Sequence, residues 1–247
     1  MKDGKKTKQE LVSELARLRQ KVAKLEKSDA QRKRVEEELK QNIEKLRRTM
    51  KGTIYAMALT VEMRDPYTAG HQRNMAQLST AIAREMGLSA EEVEGVSLAS
   101  TIHDVGRTSI PIEILSKPSR LSEVEFLLVK RHPQVGYDIL SMVEFPWPIA
   151  QIVLQHHERM DGSGYPEGLS GEEILLEARI LAVADVVEAM ASHRPYRPAH
   201  GIEKALEELS KNKGKRYDPT VVDACLTLFR GKEFAFRKDE ATNRLPH

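Results

Sequence analysis

The sequence predicts an all-α chain led by a separate coiled-coil helix. Three observations point that way: an apolar heptad near the N-terminus, helix-capping pairs spaced along the remainder, and no run alternating with period two long enough to claim a sheet. At 247 residues, with 40% hydrophobic and 31% charged side chains, the composition suits a packed core and excludes collagen-like and wholly disordered chains.

The heptad comes first. Leu11, Leu18, Leu25, Leu39 and Leu46 recur every seven residues with Arg32 in the gap, and Leu15, Val22, Ile43 and Met50 interleave. With the leucines at d and Val, Ile and Leu common at a, the pattern favours a parallel two-stranded coiled coil, so a homodimer is expected. Asp29, Arg32 and Glu36 make the seam polar at one place, where Ser28 is a candidate cap for a second helix. The competing reading is a helical linker folded back on its own domain. Residues 1–52 carry 17 Lys/Arg against 9 Asp/Glu, a balance of +8, and the rest of the chain is at −6. That basic stretch surrounds an apolar seam, and aromatic content is only 5%, so nucleic acid is not the expected partner.

Beyond residue 52 the pattern is helical throughout. Ser89 with Glu92, Ser122 with Glu125 and Ser170 with Glu173 have capping-box spacing, and Asp218 before Pro219 reads as an N-cap and first-turn pair. Helices are expected near 53–63, 71–86, 90–104, 123–142 with a kink at Pro133, 149–158, 172–192, 202–211 and 219–230. The gaps at 64–70, 105–121 and 159–170 hold most of the Pro and Gly, and such loops, held by rigid helices, are where binding residues tend to sit. The expected division is a coiled coil or signalling linker over 1–52, a helical domain over 53–232 and a charged tail over 233–247. Glu177, Arg179, Asp185 and Glu188 interrupt the longest apolar stretch, so no membrane-inserted helix is expected. No apolar segment follows the Lys-rich first eight residues, which argues against a signal peptide. A single cysteine, Cys225, is compatible with a reducing cytoplasm, the expected location.

Chemistry concentrates in histidines beside the loops. His103 precedes Asp104 and His156 precedes His157, yet either pair alone is a weak pattern, and a lone histidine is most simply a hydrogen-bonded imidazole. The text around them is more specific: Arg64 to His71 reads RDPYTAGH, residues 103–106 HDVG, 132–137 HPQVGY, 156–166 HHERMDGSGYP, 183–186 VADV and 194–197 RPYR. In that order, over about residues 53–230, the chain resembles the HD-GYP family, cyclic di-GMP phosphodiesterases of the HD phosphohydrolase superfamily.

The resemblance implies a helical HD-type phosphohydrolase domain and two divalent metal ions. His71, His103, Asp104 and Asp185 would hold one ion and His132, His156 and His157 the other, with Asp104 bridging. An all nitrogen and oxygen donor set of this kind suits iron, manganese or zinc, and the family favours iron or manganese. It also implies hydrolysis of cyclic di-GMP to pGpG, with further cleavage to GMP left open, by a water or hydroxide between the ions. His103, Asp104 and Arg107 carry the catalytic assignment. Arg107, Gly164, Tyr165, Pro166, Glu188, Arg194 and Arg197 carry the substrate assignment. Three positions depart from the family pattern: Arg107 replaces the usual Lys, Glu188 a common Asp, and Tyr67 the Glu of members with a third metal. Two ions are therefore expected, and His193 and His200 are not carried over as ligands. Two rivals stand beside this reading: a phosphohydrolase of another cyclic dinucleotide, and a non-catalytic module that senses cyclic di-GMP or binds protein partners. The coiled coil also resembles linkers that report from an upstream sensor domain or a separate partner.

Overall fold

The structure is a computed structural model describing residues 7–64, 70–192, 199–231 and 234–236. Tyr67, His193, Arg194, Arg197 and most of the expected tail lie outside the described residues, as do positions 65–69 of the first motif. By its contacts the chain divides into two compact units, residues 1–52 and residues from 53 onward.

Helix α1, Lys8–Glu62, runs through both without a break. It opens with a capping box that the sequence reading missed, Thr7 accepting from the Glu10 N–H while Glu10 accepts from the Thr7 N–H. No second helix starts at Ser28. Asp29 instead pairs with Arg32 at 2.7 Å and with Lys33 at 3.0 Å, and Arg34 pairs with Glu38 at 2.9 Å, spacings that only a continuous helix supplies. Within the first unit Leu11, Leu15, Leu18, Val22, Leu25, Leu39, Ile43 and Leu46 are between 46% and 69% exposed. Their heptad face is uncovered in the single chain.

In the second unit the last turns of α1 bury Ile54, Ala58 and Val61, three positions on one face. α2 (His71–Glu85) and α3 (Ala90–Ile102) pack against each other and against α8 (Leu176–Ala191). Met75, Leu78 and Ile82 of α2, Val96, Ala99 and Ile102 of α3 and Ile180, Leu181, Val183 and Val187 of α8 are all fully buried in the core these helices form. Between α2 and α3 the Ser79 and Ser100 hydroxyls lie 2.6 Å apart, and each is also 2.7 Å from a carbonyl of its own helix, so neither is left unsatisfied. Two further helices, α9 (Ile202–Lys211) and α10 (Pro219–Arg230), complete the far side. Asp218 caps α10 as predicted, accepting from Thr220 and Val221, and its other oxygen pairs with Arg179 of α8 at 3.0 Å. Where the tail was expected to be only charged, Phe234 and Phe236 pack on Phe229 of α10.

The segment between α3 and α8 carries the loops and departs most from expectation. A 3₁₀ turn, Val105–Ser109, and a single-turn helix α4, Ile112–Leu115, fill a gap read as loop. The expected helix over 123–142 is two helices, α5 (Glu123–Val129) and α6 (His132–Leu140). Pro133 does not kink a helix; it sits in the first turn of α6, where a missing N–H costs nothing. After α7 (Ile149–Gln155), the Ser170 and Glu173 box closes on the 3₁₀ turn Gly171–Glu173. Leu175 is then extended, so α8 starts at Leu176 rather than near 172. Among the described residues the only β-type pairings are isolated bridges such as Asp161 with Ser170, which agrees with the all-α expectation.

Candidate metal centre

Helix ends converge on one buried cluster. His71 is the first residue of α2, His103 and Asp104 directly follow α3, His132 is the first residue of α6, His156 and His157 follow α7, and Asp185 lies in α8. The rings of His103, His132 and His156 are at most 1% exposed, and Asp104 is nearly as enclosed.

The rings are oriented by the chain itself. Nδ1 of His103 lies 2.7 Å from the Ser100 carbonyl, Nδ1 of His132 2.7 Å from that of Val129, and Nδ1 of His156 2.5 Å from that of Val153. In each case the acceptor is three residues back, at a helix end where the last carbonyls have no helical donor. A neutral ring donating from Nδ1 presents a bare lone pair at Nε2.

Those lone pairs point at one another. Nε2 of His132 and Nε2 of His156 are 3.2 Å apart, and the buried Nε2 atoms of His71 and His103 have no hydrogen-bond partner. Asp104 sits between two groups of rings, one oxygen 3.3 Å from His103 and 3.8 Å from His71, the other 3.4 Å from His132. Opposed lone pairs in a buried cluster repel unless a cation lies between them, so this donor set fits divalent metal. The ligand atoms fall into three overlapping groups: His71, His103 and Asp185; His132, His156 and His157; and His103, Asp104 and His156.

Electrostatics agree with that fit. Burial pushes His132 down to about 4 and holds His156 and His157 well below the ordinary histidine value, so these rings are neutral donors near pH 7. For His103 burial acts in the same direction, but Asp104 and Asp185 outweigh it and raise the ring's pKa. Asp104 is held well below the carboxylate range: burial opposes ionisation, and Arg107 with His103 and His132 overcomes it.

The expected substrate residues are only partly brought to this centre. Arg107 lies against Asp104, Nε to carboxylate oxygen at 2.7 Å. Tyr165 stacks on His157 with ring centroids 4.7 Å apart and donates its N–H to the His157 carbonyl, and a cis peptide joins it to Pro166. Gly164 is pressed onto the chain behind it, where a Cβ would stand 2.4 Å from the Glu158 Cα. Glu188 is placed elsewhere than expected: it is 2% exposed and bonded to Nδ1 of His71, Asn74 and Ser192, behind the ring rather than in front of it. Among the described residues, His200 belongs to none of the three ligand groups.

Residues the sequence reading passed over also shape the site. Buried Glu158 accepts from the N–H groups of Glu167 at 2.8 Å and Gly168 at 3.1 Å, holding the loop that carries Tyr165; its place directly after His156 and His157 was the available signal. Gly106 and Gly136 cross so closely that a Cβ on Gly106 would lie 1.9 Å from the His132 carbonyl oxygen. Lys130 sets its ammonium 5.2 Å from the Tyr165 ring centroid and 5.1 Å from that of Phe126. Glu62 accepts from the Gly70 N–H just before His71, and Arg64 donates to the Thr108 carbonyl just after Arg107, so the end of α1 is tied to both segments.

Comparison with known proteins agrees with the geometry. Residues 56–221 match the HD domain family. The chain is 44% identical over 182 residues to the cyclic di-GMP phosphodiesterase response regulator RpfG of Xanthomonas campestris, covering 73% of this chain and 47% of that one. A cyclic di-GMP phosphodiesterase of Thermotoga maritima is 42% identical over 186 residues, 74% of this chain and 50% of its own. A 3'3'-cGAMP-specific phosphodiesterase of Vibrio cholerae is 36% identical over 183 residues, 73% of this chain and 35% of its own. The chain thus spans about half, or less, of the length of these curated relatives. Among solved structures, a cyclic GMP-AMP specific phosphodiesterase of Vibrio cholerae superposes with a TM-score of 0.57 at 20% identity, covering 74% of this chain and 49% of that one, which supports the fold. By sequence match and by fold, the chain belongs to the HD domain family.

Proposed function

We propose that this domain is a metal-dependent phosphodiesterase that opens cyclic di-GMP to pGpG. The observation that carries the proposal is the convergence of five imidazoles on two carboxylates with the Nε2 lone pairs of His132 and His156 facing each other 3.2 Å apart. His71, His103 and Asp185 would hold one ion, His132, His156 and His157 the other, with Asp104 between them. Iron or manganese suits these donors. Two such ions, when bound, supply a water nucleophilic at neutral pH and a clamp for phosphate oxygens.

The chain's own part is positional. Backbone carbonyls fix three ring orientations, Asp104 is kept ionised by Arg107, and the Gly164, Tyr165 and Pro166 segment is held beside His157 by Glu158. Arg107, Arg194 and Arg197 are proposed to meet phosphate or guanine through the forked guanidinium. The substrate assignment draws on the relatives named cyclic di-GMP phosphodiesterases. A second reading, hydrolysis of a hybrid cyclic dinucleotide, is favoured by the relative named 3'3'-cGAMP-specific at 36% identity.

We further propose a cytoplasmic homodimer formed through α1 and controlled by a sensor domain or protein partner. Eight half-exposed apolar side chains along the heptad support a seam, since full burial of each Leu, Ile or Val contributes roughly 1.5–3 kcal/mol. Among the described residues no helix is long and apolar enough to cross a membrane. Replacing Leu18 and Leu25 together with Glu should yield monomers in sedimentation; an unchanged dimer overturns the seam.

The central test uses protein purified without oxygen. Metals are counted by elemental analysis, and cyclic di-GMP and 3'3'-cGAMP compete at equal concentration while products are separated by chromatography. Two ions per chain and pGpG are expected, and both are lost when His103 and Asp104 are changed to Ala. Retention of metal and hydrolysis by that double variant overturns the assignment, and preferential loss of 3'3'-cGAMP selects the second reading.

A further inference from the structure

We infer that Glu188 is a positioning residue for one of the two metal ions: it acts on that ion through His71 and leaves the other ion alone. The inference rests on the metal-centre reading above. His103, His132 and His156 each find an Nδ1 acceptor in a carbonyl three residues back in their own stretch of chain. His71 is the first residue of α2, and its Nδ1 is met instead by the Glu188 carboxylate, 117 residues away in α8.

That carboxylate is built into place. Glu188 is 2% exposed, and its second oxygen is held by Ser192 one turn further along α8, at 2.6 Å, and by Asn74 of α2, at 3.4 Å. Among the described residues no Lys or Arg pairs with it. A buried negative charge with only neutral donors besides His71 makes the ring its main electrostatic partner. Such a carboxylate fixes the tautomer and turns Nε2 toward the metal side. Here Nε2 of His71 lies 3.8 Å from oxygens of both Asp104 and Asp185. Asp185 and Glu188 are three apart on α8 and so share a face, which lets one helix supply a carboxylate to the ion and another behind its imidazole ligand. Among the described residues, the Nδ1 acceptors of His132 and His156 are amide carbonyls.

The test is Mn(II) binding to metal-free protein by calorimetry, comparing wild type with Glu188→Gln and Glu188→Leu. Gln keeps an oxygen that accepts from Nδ1 but loses the charge, and Leu loses both. Affinity for one ion should fall about 10- to 100-fold in Glu188→Leu and by less in Glu188→Gln, with the second ion bound as in wild type. In metal-free protein the side-chain nitrogen spectrum should place the wild-type His71 proton on Nδ1 and show that preference weakened in Glu188→Leu. Unchanged binding of both ions, or equal weakening of both, overturns the inference. If Glu188→Leu fails to fold, the nearly isosteric Glu188→Gln decides by the same criterion. Wild-type protein that takes up no Mn(II) overturns the metal-centre reading and this inference with it, an outcome distinct from the others.

Discussion

Gly106→Ala tests whether close backbone approach sets the spacing of the metal centre. The added Cβ would stand 1.9 Å from the His132 carbonyl oxygen, 2.6 Å from the Gly136 nitrogen and 2.9 Å from the His132 carbonyl carbon. All three are main-chain atoms, so no rotamer change relieves the clash, and the two segments must part by roughly 1.5 Å to restore ordinary contact. One segment carries Asp104 and Arg107 and the other His132, whose Nε2 is 3.4 Å from the Asp104 carboxylate. Misplacement of about 1 Å at a reacting centre costs on the order of 100-fold in rate. Overpacking of this kind also costs about 1–3 kcal/mol, which in a domain of this size lowers Tm by roughly 2–12 °C. Gly52→Ala is the control: nothing lies within 4 Å of its Cβ, and inside α1 the change should stabilise by about 0.5–1 kcal/mol. Calorimetry, metal counting and dinucleotide hydrolysis on both variants give the answer. Gly106→Ala protein that melts within 1 °C of wild type on the ~1 kcal/mol scale, binds metal normally and turns over at the wild-type rate would refute the reasoning.

Metal-free protein should lose stability in mild acid. Unfolded histidines take up protons near pH 6.5, whereas folded His132 does so only at about 4 and His156 and His157 are likewise held well below the ordinary histidine value, because burial disfavours their charged forms. Their contribution is therefore complete above about pH 6.5 and declines as pH falls, His132 alone giving up about 3 kcal/mol by pH 4; His103, shifted upward, offsets part of this. Urea midpoints that stay flat from pH 7 to 4.5 contradict it. Glu158→Ala leaves the N–H groups of Glu167 and Gly168 without their acceptor, so their hydrogen exchange should quicken about 10- to 100-fold, matching about 1–3 kcal/mol; unchanged exchange removes Glu158 as the loop's anchor. Asp218→Ala should destabilise by at least about 2 kcal/mol, since it strips the cap of α10 and removes the carboxylate partner of Arg179, while Asp218→Asn, which keeps the cap, should cost less in chemical denaturation.

Local signals in the sequence transferred well where one turn of helix decides the outcome. The Ser89 and Glu92 and the Ser122 and Glu125 boxes both form, because a cap needs only residues three apart. The Ser170 and Glu173 box forms too, but around a 3₁₀ turn, since the spacing of a box is the same whether three residues or a full helix come after the cap. Pro133 was legible as a boundary and misread as a kink, because the same ring geometry serves either a bend or a first turn. The gathering of these His and Asp side chains into one cluster was legible through motif resemblance. What sequence could not display are the approaches made across the fold: Gly106 over His132, Glu158 under the Tyr165 loop, and Glu188 behind His71. Each depends on where one helix end lies relative to another, and short-range spacing does not encode that.

The carbonyl acceptors of Ser100, Val129 and Val153 have a consequence for how the site tolerates change. Every amino acid brings the same carbonyl, so replacing the side chains at these three positions leaves the acceptors behind His103, His132 and His156 in place. Ring orientation at most of the centre is thus insulated from genetic drift, and neighbouring positions are free to vary for packing alone. Behind His71, by contrast, the orienting acceptor is written in a side chain, so a single codon at residue 188 is a short route by which a descendant of this protein could retune its metal preference without disturbing the ligands themselves.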